Sequence, residues 1–286
     1  LIEYIRSYGV TTIHTGHTAG ELVSGQTMIA KTRTTTVDDA VIEPVTTVVA
    51  TLDPSALKRG GSSPGTRAKA VAMLRQALID AKAYAEQPAA APKEGEDPKP
   101  KARDLKKEAL GQVLAGDLPL LVTANRAQDI ASALRLADEF GFTLWLDMAA
   151  ESYMLIDEIK AAGVPVILHP TMYRSWGETE NLALTTAARL ADAGIPVCIQ
   201  SGYEGYVPKM RVILFEAAVA AAHGLGPERA LACITINPAR ILGIEDRVGS
   251  IEVGKDGDLA LYDGDPFEYT THCIGVVIEG EVVSRE

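Results

Sequence analysis

The sequence of 286 residues has few of the residues and motifs that mark specialised protein classes. Its three cysteines, Cys198, Cys233 and Cys273, are odd in number and widely spaced, which argues against a disulfide framework and favours a reducing compartment. No apolar run approaches the length of about 18 residues that a membrane-spanning helix requires. The glycine motifs GxGxxG and GxxxxGK[ST] are absent, so a nucleotide-binding fold is not indicated.

The charge balance is acidic and narrows the range of partners. Lys and Arg number 27 against 38 Asp and Glu, which gives a net charge of −11. This charge repels phosphate backbones, so we expect no nucleic-acid partner, and without a long apolar run we expect no membrane partner. The composition, with 47% hydrophobic and 23% charged residues, is that of a soluble globular protein, and we expect it in the cytoplasm rather than the periplasm.

One pattern recurs along the chain: a helix with an apolar stripe, then a glycine, then a short apolar run. The glycine suits the left-handed residue that ends a helix, and the run suits a strand buried on both faces of a parallel sheet. This alternation predicts an α/β fold, either a closed (β/α)₈ barrel or an open doubly wound sheet. The candidate strands lie at 10–14, 46–51, 119–124, 143–147, 165–168 and 196–200, with a possible seventh at 27–31.

Two segments depart from this pattern. Residues 86–104 are rich in Pro, Ala and alternating charge, so we expect a flexible insertion between helices at about 66–85 and 105–114. After Gly243 short apolar pairs alternate with Gly and Asp, and Glu279–Gly280 suits a hairpin turn. We therefore predict a barrel domain at 1–243 and a small antiparallel β segment at 244–286.

The stretch NPARILGIEDRVGSIEVGKDGDLALYDGDP, followed by VVIEGEVV, resembles the C-terminal signature of the amidohydrolase superfamily. Residues 9–33 and 119–200 resemble its imidazolonepropionase-like branch. The resemblance implies a metal-dependent hydrolase scaffold, with a (β/α)₈ barrel beside a β-sandwich built from both chain ends. It also implies a first barrel strand carrying His-x-His before Leu1. We therefore expect a barrel without its first strand here, completed by an upstream segment of the chain or by another polypeptide, and a homo-oligomer or a pairing with a related chain.

The resemblance implies metal ligands at strand ends, and this sequence departs from it at each visible position. Thr123 and Asn125 stand where a His is expected, Met148 follows Asp147 where another His is expected, and Gly202 replaces the Asp that would be ligand and general base. Thr, Asn and Met are poor zinc ligands and Gly offers none. We therefore expect no metal or other cofactor in this chain. Met148 is expected to pack in the core, while Asn125 and Asp147 are candidates to hydrogen-bond a ligand.

Other polar residues offer an alternative. His14, His17 and His169 follow predicted strands, so a replacement metal site, for zinc or a similar ion, is the second hypothesis. The remaining candidate pocket residues on strand-end loops are Gln26, Lys31, Arg174 and Glu178.

These observations leave two functional hypotheses. In the first, the protein is a degenerate amidohydrolase that serves as a binding or structural subunit. In the second, it hydrolyses C–N bonds of cyclic amides or similar small substrates, with a metal held by a missing N-terminal strand and the three histidines.

Overall fold

The computed structural model describes residues 1–16, 19–33, 36–57, 63–87, 102–169, 171, 175–202 and 209–285. Over these residues the main sheet has seven strands, which lie side by side in chain order. They are β1 (Thr12–Thr15), β2 (Val23–Lys31), β3 (Val41–Thr51), β4 (Leu120–Ala124), β5 (Leu144–Met148), β6 (Val166–Leu168) and β7 (Val197–Ile199).

The strand order decides between the two predicted architectures. Strands β3 to β7 are parallel, and each pairs with the next in sequence. A barrel keeps this sequential order, whereas a doubly wound sheet reverses its winding at a switch point. The prediction of an α/β barrel is therefore confirmed as a partial barrel, and the doubly wound alternative is wrong. Within the described residues β1 pairs only with β2, and β7 only with β6.

The N-terminal strands differ from the prediction. The pattern at 10–14 suggested a parallel strand buried on both faces, but β1 pairs antiparallel with β2 and is half-buried throughout. Strand β2 also pairs antiparallel with β3. The connection at 16–22 explains this direction, because a parallel crossover needs roughly ten to twelve residues or more.

Helices cover the outer surface of the parallel strands. The described α-helices are α1 (Ile2–Arg6), α2 (Val37–Ala40), α3 (Arg67–Glu86), α4 (Leu105–Ala115), α5 (Ala127–Phe140), α6 (Ile156–Ala162), α7 (Thr186–Asp192), α8 (Ile213–Ala220), α9 (Pro227–Ala232) and α10 (Ile236–Leu242). The contacts with the parallel strands come mainly from α4, α5, α7, α8 and α10. The predicted helices at 66–85 and 105–114 are confirmed by α3 and α4, while the predicted insertion between them falls largely on 88–101, outside the described residues. None of the described helices combines the length and the apolar character that crossing a membrane demands.

The two surfaces of the curled sheet have opposite chemistry because strand side chains alternate. On the outer surface, Val122, Leu146 and Ile199 are buried in the main hydrophobic core against the helices. Each such side chain stabilises the fold by roughly 1.5–3 kcal/mol. The alternate positions, including Thr123 and Asp147, face the inner surface. Polar groups near the ends of the parallel strands therefore gather inside the curl.

The C-terminal tail forms a separate antiparallel sheet. It contains β8 (Leu259–Tyr262), β9 (Cys273–Ile278) and β10 (Glu281–Arg285), in the order β10-β9-β8. Glu279 and Gly280 have φ values of 53° and 80°, which is the geometry of a two-residue hairpin turn. The predicted hairpin is thus confirmed.

A buried ion pair joins this tail to the main sheet. Lys31 Nζ, at the end of β2, lies 2.8 Å from Asp256 Oδ2 and 2.5 Å from Asp258 Oδ2, and the lysine side chain is 2% exposed. Lys31 was predicted to line a pocket at the strand ends. Its amine instead forms an ion pair with the C-terminal tail. The two carboxylates of this pair come from residues more than 220 positions later in the chain, and this ion pair is called the joint between the main sheet and the tail.

Candidate functional site

Register pairing sets a row of polar side chains across the inner surface. Thr51 of β3 is opposite Thr123 of β4, and Thr123 is opposite Asp147 of β5. In a parallel pair, opposed residues point to the same side of the sheet. Thr123 and Asp147, two of the strand-end candidates from the sequence, therefore lie side by side on the inner surface.

Asp147 is the charged centre of this row. Thr123 Oγ1 donates to Asp147 Oδ2 at 2.5 Å, and the Gln200 side-chain amide, just after β7, donates to Asp147 Oδ1. Burial raises the pKa of Asp147 to about 6, and the charge of Asp53 acts in the same direction, while the two hydrogen bonds oppose them. The contacts tie together β4, β5 and the end of β7, and Asp147 does not cap a helix.

The raised pKa of Asp147 predicts a pH-dependent stability. The folded protein holds this proton up to about pH 6, whereas an unfolded Asp releases it near 3.8. The contribution is therefore fully present below pH 3.8 and is lost as the pH rises through 6. For the wild type we expect the free energy of unfolding from urea curves to fall by roughly 2 kcal/mol between pH 4 and 7 on account of Asp147. In Asp147→Asn, which has no titrating group at this position, this fall should be absent. The exposed Asp157→Asn should keep the wild-type profile; an unchanged profile in Asp147→Asn contradicts the assignment.

A second buried carboxylate, that of Asp53, lies beyond the end of β3. Asp53, just beyond β3, accepts hydrogen bonds from the Ser55 amide at 2.8 Å and from Asn125 Nδ2 at 3.4 Å. Both Asp53 and Asn125 are buried. Thus Asn125, predicted as a ligand-binding residue, contacts an acidic side chain that the sequence prediction had missed. The sequence feature that marks Asp53 is an Asp-Pro pair shortly after a buried strand, which is a common turn signature.

The imidazole of His169 fills the space beside Gly202. A Cβ built on Gly202, whose φ is 74°, would lie 2.7 Å from His169 Cε1, 2.8 Å from Cδ2 and closer still to Nε2. His169 Nδ1 lies 3.2 Å from the Gln200 carbonyl oxygen and 3.6 Å from Glu216 Oε1. At this position the chain has room for a glycine and an imidazole, and a larger residue would displace one of them.

Glu216 anchors this side of the site and was missed by the sequence prediction. Its Oε2 accepts from the Thr171 amide at 2.8 Å and from the Thr171 hydroxyl at 2.5 Å. The side chain is fully buried on α8. A lone acid in the apolar run ILFEAAVA was the signal available, because charged residues are rarely buried without partners.

Met148 does not pack in the core as predicted. It is half-buried at the end of β5 with a φ of 69°, and Ala149 follows with a φ of 51°. The main hydrophobic core of the described residues does not include Met148. The left-handed backbone turns the chain out of the sheet at this point, which explains why the side chain leaves the core.

The other predicted site residues are dispersed. His14 Nε2 lies 2.8 Å from Thr27 Oγ1, so His14 and His169 have different partners. Gln26 is exposed on β2. His17 and Arg174 lie outside the described residues.

Glu178 belongs to an ion-pair group at the outer rim. The Glu178 carboxylate pairs with Arg67, and its Oε2 lies 3.6 Å from Arg126 Nε. Arg67 also pairs with the buried Asp129. Burial raises the pKa of Asp129 to about 6, against the lowering effect of Arg67. This group binds the loop around Glu178 to the first turns of α3 and α5, so Glu178 has a clear structural role.

The chain is similar to known proteins over its whole length. A solved structure of an amidohydrolase from Thermotoga maritima MSB8 aligns with a TM-score of 0.91 and 30% identity, covering 100% of this chain and 74% of that chain. A model of the amidohydrolase family matches residues 181–283.

Curated relatives match shorter regions. Amidohydrolase tasK of Hapsidospora irregularis is 28% identical over 183 residues, and an imidazolonepropionase of Polaromonas sp. is 29% identical over 146 residues. These regions cover 62% and 51% of this chain, but only 18% and 33% of the two relatives. The chain thus spans a third or less of the curated relatives it matches here.

Proposed function

This chain belongs to the amidohydrolase family, as an imidazolonepropionase-like member, and we propose that it is a catalytically degenerate form that binds small amide-like molecules without hydrolysing them. The resemblance inferred from the sequence is thereby confirmed at the family level, and the loss of catalysis is the proposal. The observation that carries it is the packing of the His169 imidazole against Gly202, at the position where the resemblance implies an Asp.

The metal that the family implies does not fit the side chains at these strand ends. Thr123 uses its hydroxyl to hydrogen-bond Asp147, and Met148 stands where the family resemblance implies a His. Within the residues that the structure describes, no three His, Cys, Asp or Glu side chains form a group suited to a metal ion. Hydroxyl and thioether groups are weak ligands for zinc, so the available donors support a site that works without one.

Hydrogen bonds to Asp147 connect the ends of nearby strands, as a bound metal ion could do. Asp147 accepts from Thr123 on the neighbouring strand and from Gln200 two strands away. A buried carboxylate satisfied by two neutral donors keeps the strand ends together without a cation. This arrangement supports a stable binding scaffold.

The sheet edges support a role within a larger assembly. Among the described residues β1 and β7 each pair on one side, and unpaired edges favour association with a further strand. We propose that the partner is another segment of the same protein, a second copy, or a related amidohydrolase chain. Light scattering of the full-length protein, alone and mixed with such a chain, would measure the assembly directly.

Metal analysis of the full-length protein, expressed with added zinc, manganese or iron, tests the proposal. We expect substoichiometric metal and no hydrolysis of a panel of cyclic amides and imides, because the donors are missing. A stoichiometric metal together with turnover that a chelator abolishes would overturn it. That result would favour the alternative of an active hydrolase whose ligands include His14, His17 or His169.

A further inference from the structure

Two buried oxygen atoms at the strand ends find no hydrogen-bond partner among the described residues. They are Thr51 Oγ1 at the end of β3 and Asn125 Oδ1 just beyond β4, and no partner for either is found within the described part of the chain. Thr51 is fully buried and Asn125 is 3% exposed. Buried polar atoms in folded proteins are nearly always satisfied, so each unsatisfied one requires a reason.

The same two strand ends carry a nearly buried negative charge. Asp53, two residues beyond Thr51, is 6% exposed and receives hydrogen bonds from Ser55 and Asn125, which are neutral groups. None of the ion pairs found in the described ranges includes Asp53. A carboxylate that is removed from water is more stable with a cation beside it.

We propose that this strand-end site binds a small organic cation that carries several N–H groups, such as an amidinium, a guanidinium or a primary ammonium. Its N–H groups donate to Asn125 Oδ1 and Thr51 Oγ1, and Asp53 balances its charge. The proposal rests on the non-hydrolytic binding function proposed above and specifies the class of ligand.

The orientation of Asn125 favours an organic cation over a metal ion. Its Nδ2 donates to Asp53 Oδ2, so Oδ1 lies on the opposite branch of the amide. A metal ion would need the amide oxygen and the carboxylate oxygen on one point, whereas a group with several N–H donors spans both acceptors.

Part of the inner surface, on β5 and β6, is exposed to solvent. Trp145 and Ile167 on this surface are half-buried, whereas their outward-facing neighbours Leu146, Val166 and Leu168 are almost completely buried. On these two strands solvent therefore reaches the inner side of the sheet more readily than the helix-covered side. Asp147 and the overall charge of −11 further favour a cation over an anion.

The test measures binding of matched probes by calorimetry to the full-length protein. Benzamidinium and butylammonium are the cationic probes, benzamide is the neutral isostere, and butyrate is the anion. We expect the cations alone to bind, and Asp53→Asn to weaken them at least tenfold, since a hydrogen bond to a charged group is lost. Glu158→Gln, an exposed change on α6, is the matched control and should bind as the wild type does.

Thr51→Val separates a ligand contact from a structural role. It removes an unpaired buried hydroxyl with little change of shape, so we expect the Tm of the free protein to rise by about 2 °C and the affinity to fall by about fivefold. Equal binding of benzamide, full affinity in Asp53→Asn, or an unchanged affinity in Thr51→Val would each overturn the proposal. So would a divalent ion that binds with Asp53 and is not displaced by the probes.

The two proposals fail separately. If the protein has no metal and no turnover and also binds none of the cationic probes, the ligand assignment alone is overturned. Stoichiometric metal with hydrolysis overturns the degenerate function itself.

Discussion

Replacing Gly202 with aspartate should lower the free energy of unfolding by about 3 kcal/mol. The substitution restores the carboxylate of the family pattern, but its Cβ would lie under 3 Å from three atoms of the His169 imidazole. It also places a side chain on a backbone with a φ of 74°, which accounts for roughly 1 kcal/mol of this loss. Urea unfolding of the variant and of the wild type at the same pH measures the difference.

Gly141→Asp is the matched control for backbone strain. Gly141 has a φ of 73°, and a Cβ built there meets no atom within 4 Å. We expect a loss of only about 1 kcal/mol from this change. If the two aspartate variants were equally stable, the imidazole would move aside freely, and the crowding at Gly202 would have no consequence.

The double variant His169→Ala with Gly202→Asp tests whether the two residues compete for one space. Each single change is destabilising, but removing the imidazole makes room for the new side chain, so we expect a favourable coupling energy of about 1–3 kcal/mol. An additive double mutant would contradict this view. A coupled pair would indicate that the imidazole, rather than the loss of the carboxylate alone, closes the family metal position in this protein.

Local patterns in the sequence predicted most of the fold. The helix–glycine–apolar unit located β4 to β7 because it is written in contiguous residues, and Gly141 and Gly163 end α5 and α6 in the left-handed conformation. Strand direction at β1 was not predictable from burial pattern, since an apolar run has the same appearance in parallel and antiparallel sheets. The length of the connecting loop holds that information, because seven residues are too few for a parallel crossover.

The candidate site depends less on local patterns. The resemblance to the amidohydrolase superfamily pointed to Thr123, Asn125 and Asp147 as candidates at strand ends, where barrel sites form. It did not identify Glu216, which reaches the site from α8, and it misassigned Lys31 to a pocket. Both depend on contacts between residues far apart in sequence, such as Lys31 with Asp258, and no local pattern encodes such contacts.

Lys31 leads to the second large prediction. Lys31→Met removes the ammonium group that pairs with Asp256 and Asp258. We expect the free energy of unfolding to fall by about 3–5 kcal/mol at pH 7, because the carboxylate half of a buried ion pair is left without its cation. Asp258 is 6% exposed, and its remaining contacts are hydrogen bonds from the Glu279 amide and Thr12. Urea unfolding measures the total loss, and hydrogen exchange should show the largest increase in β8 to β10.

The control is Arg33→Met on the same side of the sheet. Arg33 pairs with Glu279, and both side chains are about one-third exposed, so this change should cost under about 1 kcal/mol. The pH dependence gives a second check. Burial disfavours the charge on Asp256, but Lys31 and Arg247 outweigh it and hold its pKa below the usual range.

A depressed pKa means that the ion pair stabilises the fold above the unfolded pKa of Asp and loses its effect as the pH falls through the folded value. The gap between the wild type and Lys31→Met should therefore narrow in acid, where the carboxylates are neutral in both proteins. A gap that stays constant from pH 7 to 3 would assign the loss to packing of the lysine stem instead of its charge. The joint between the main sheet and the tail would then be held by apolar contacts, and Lys31→Met would be no worse than other changes of similar volume.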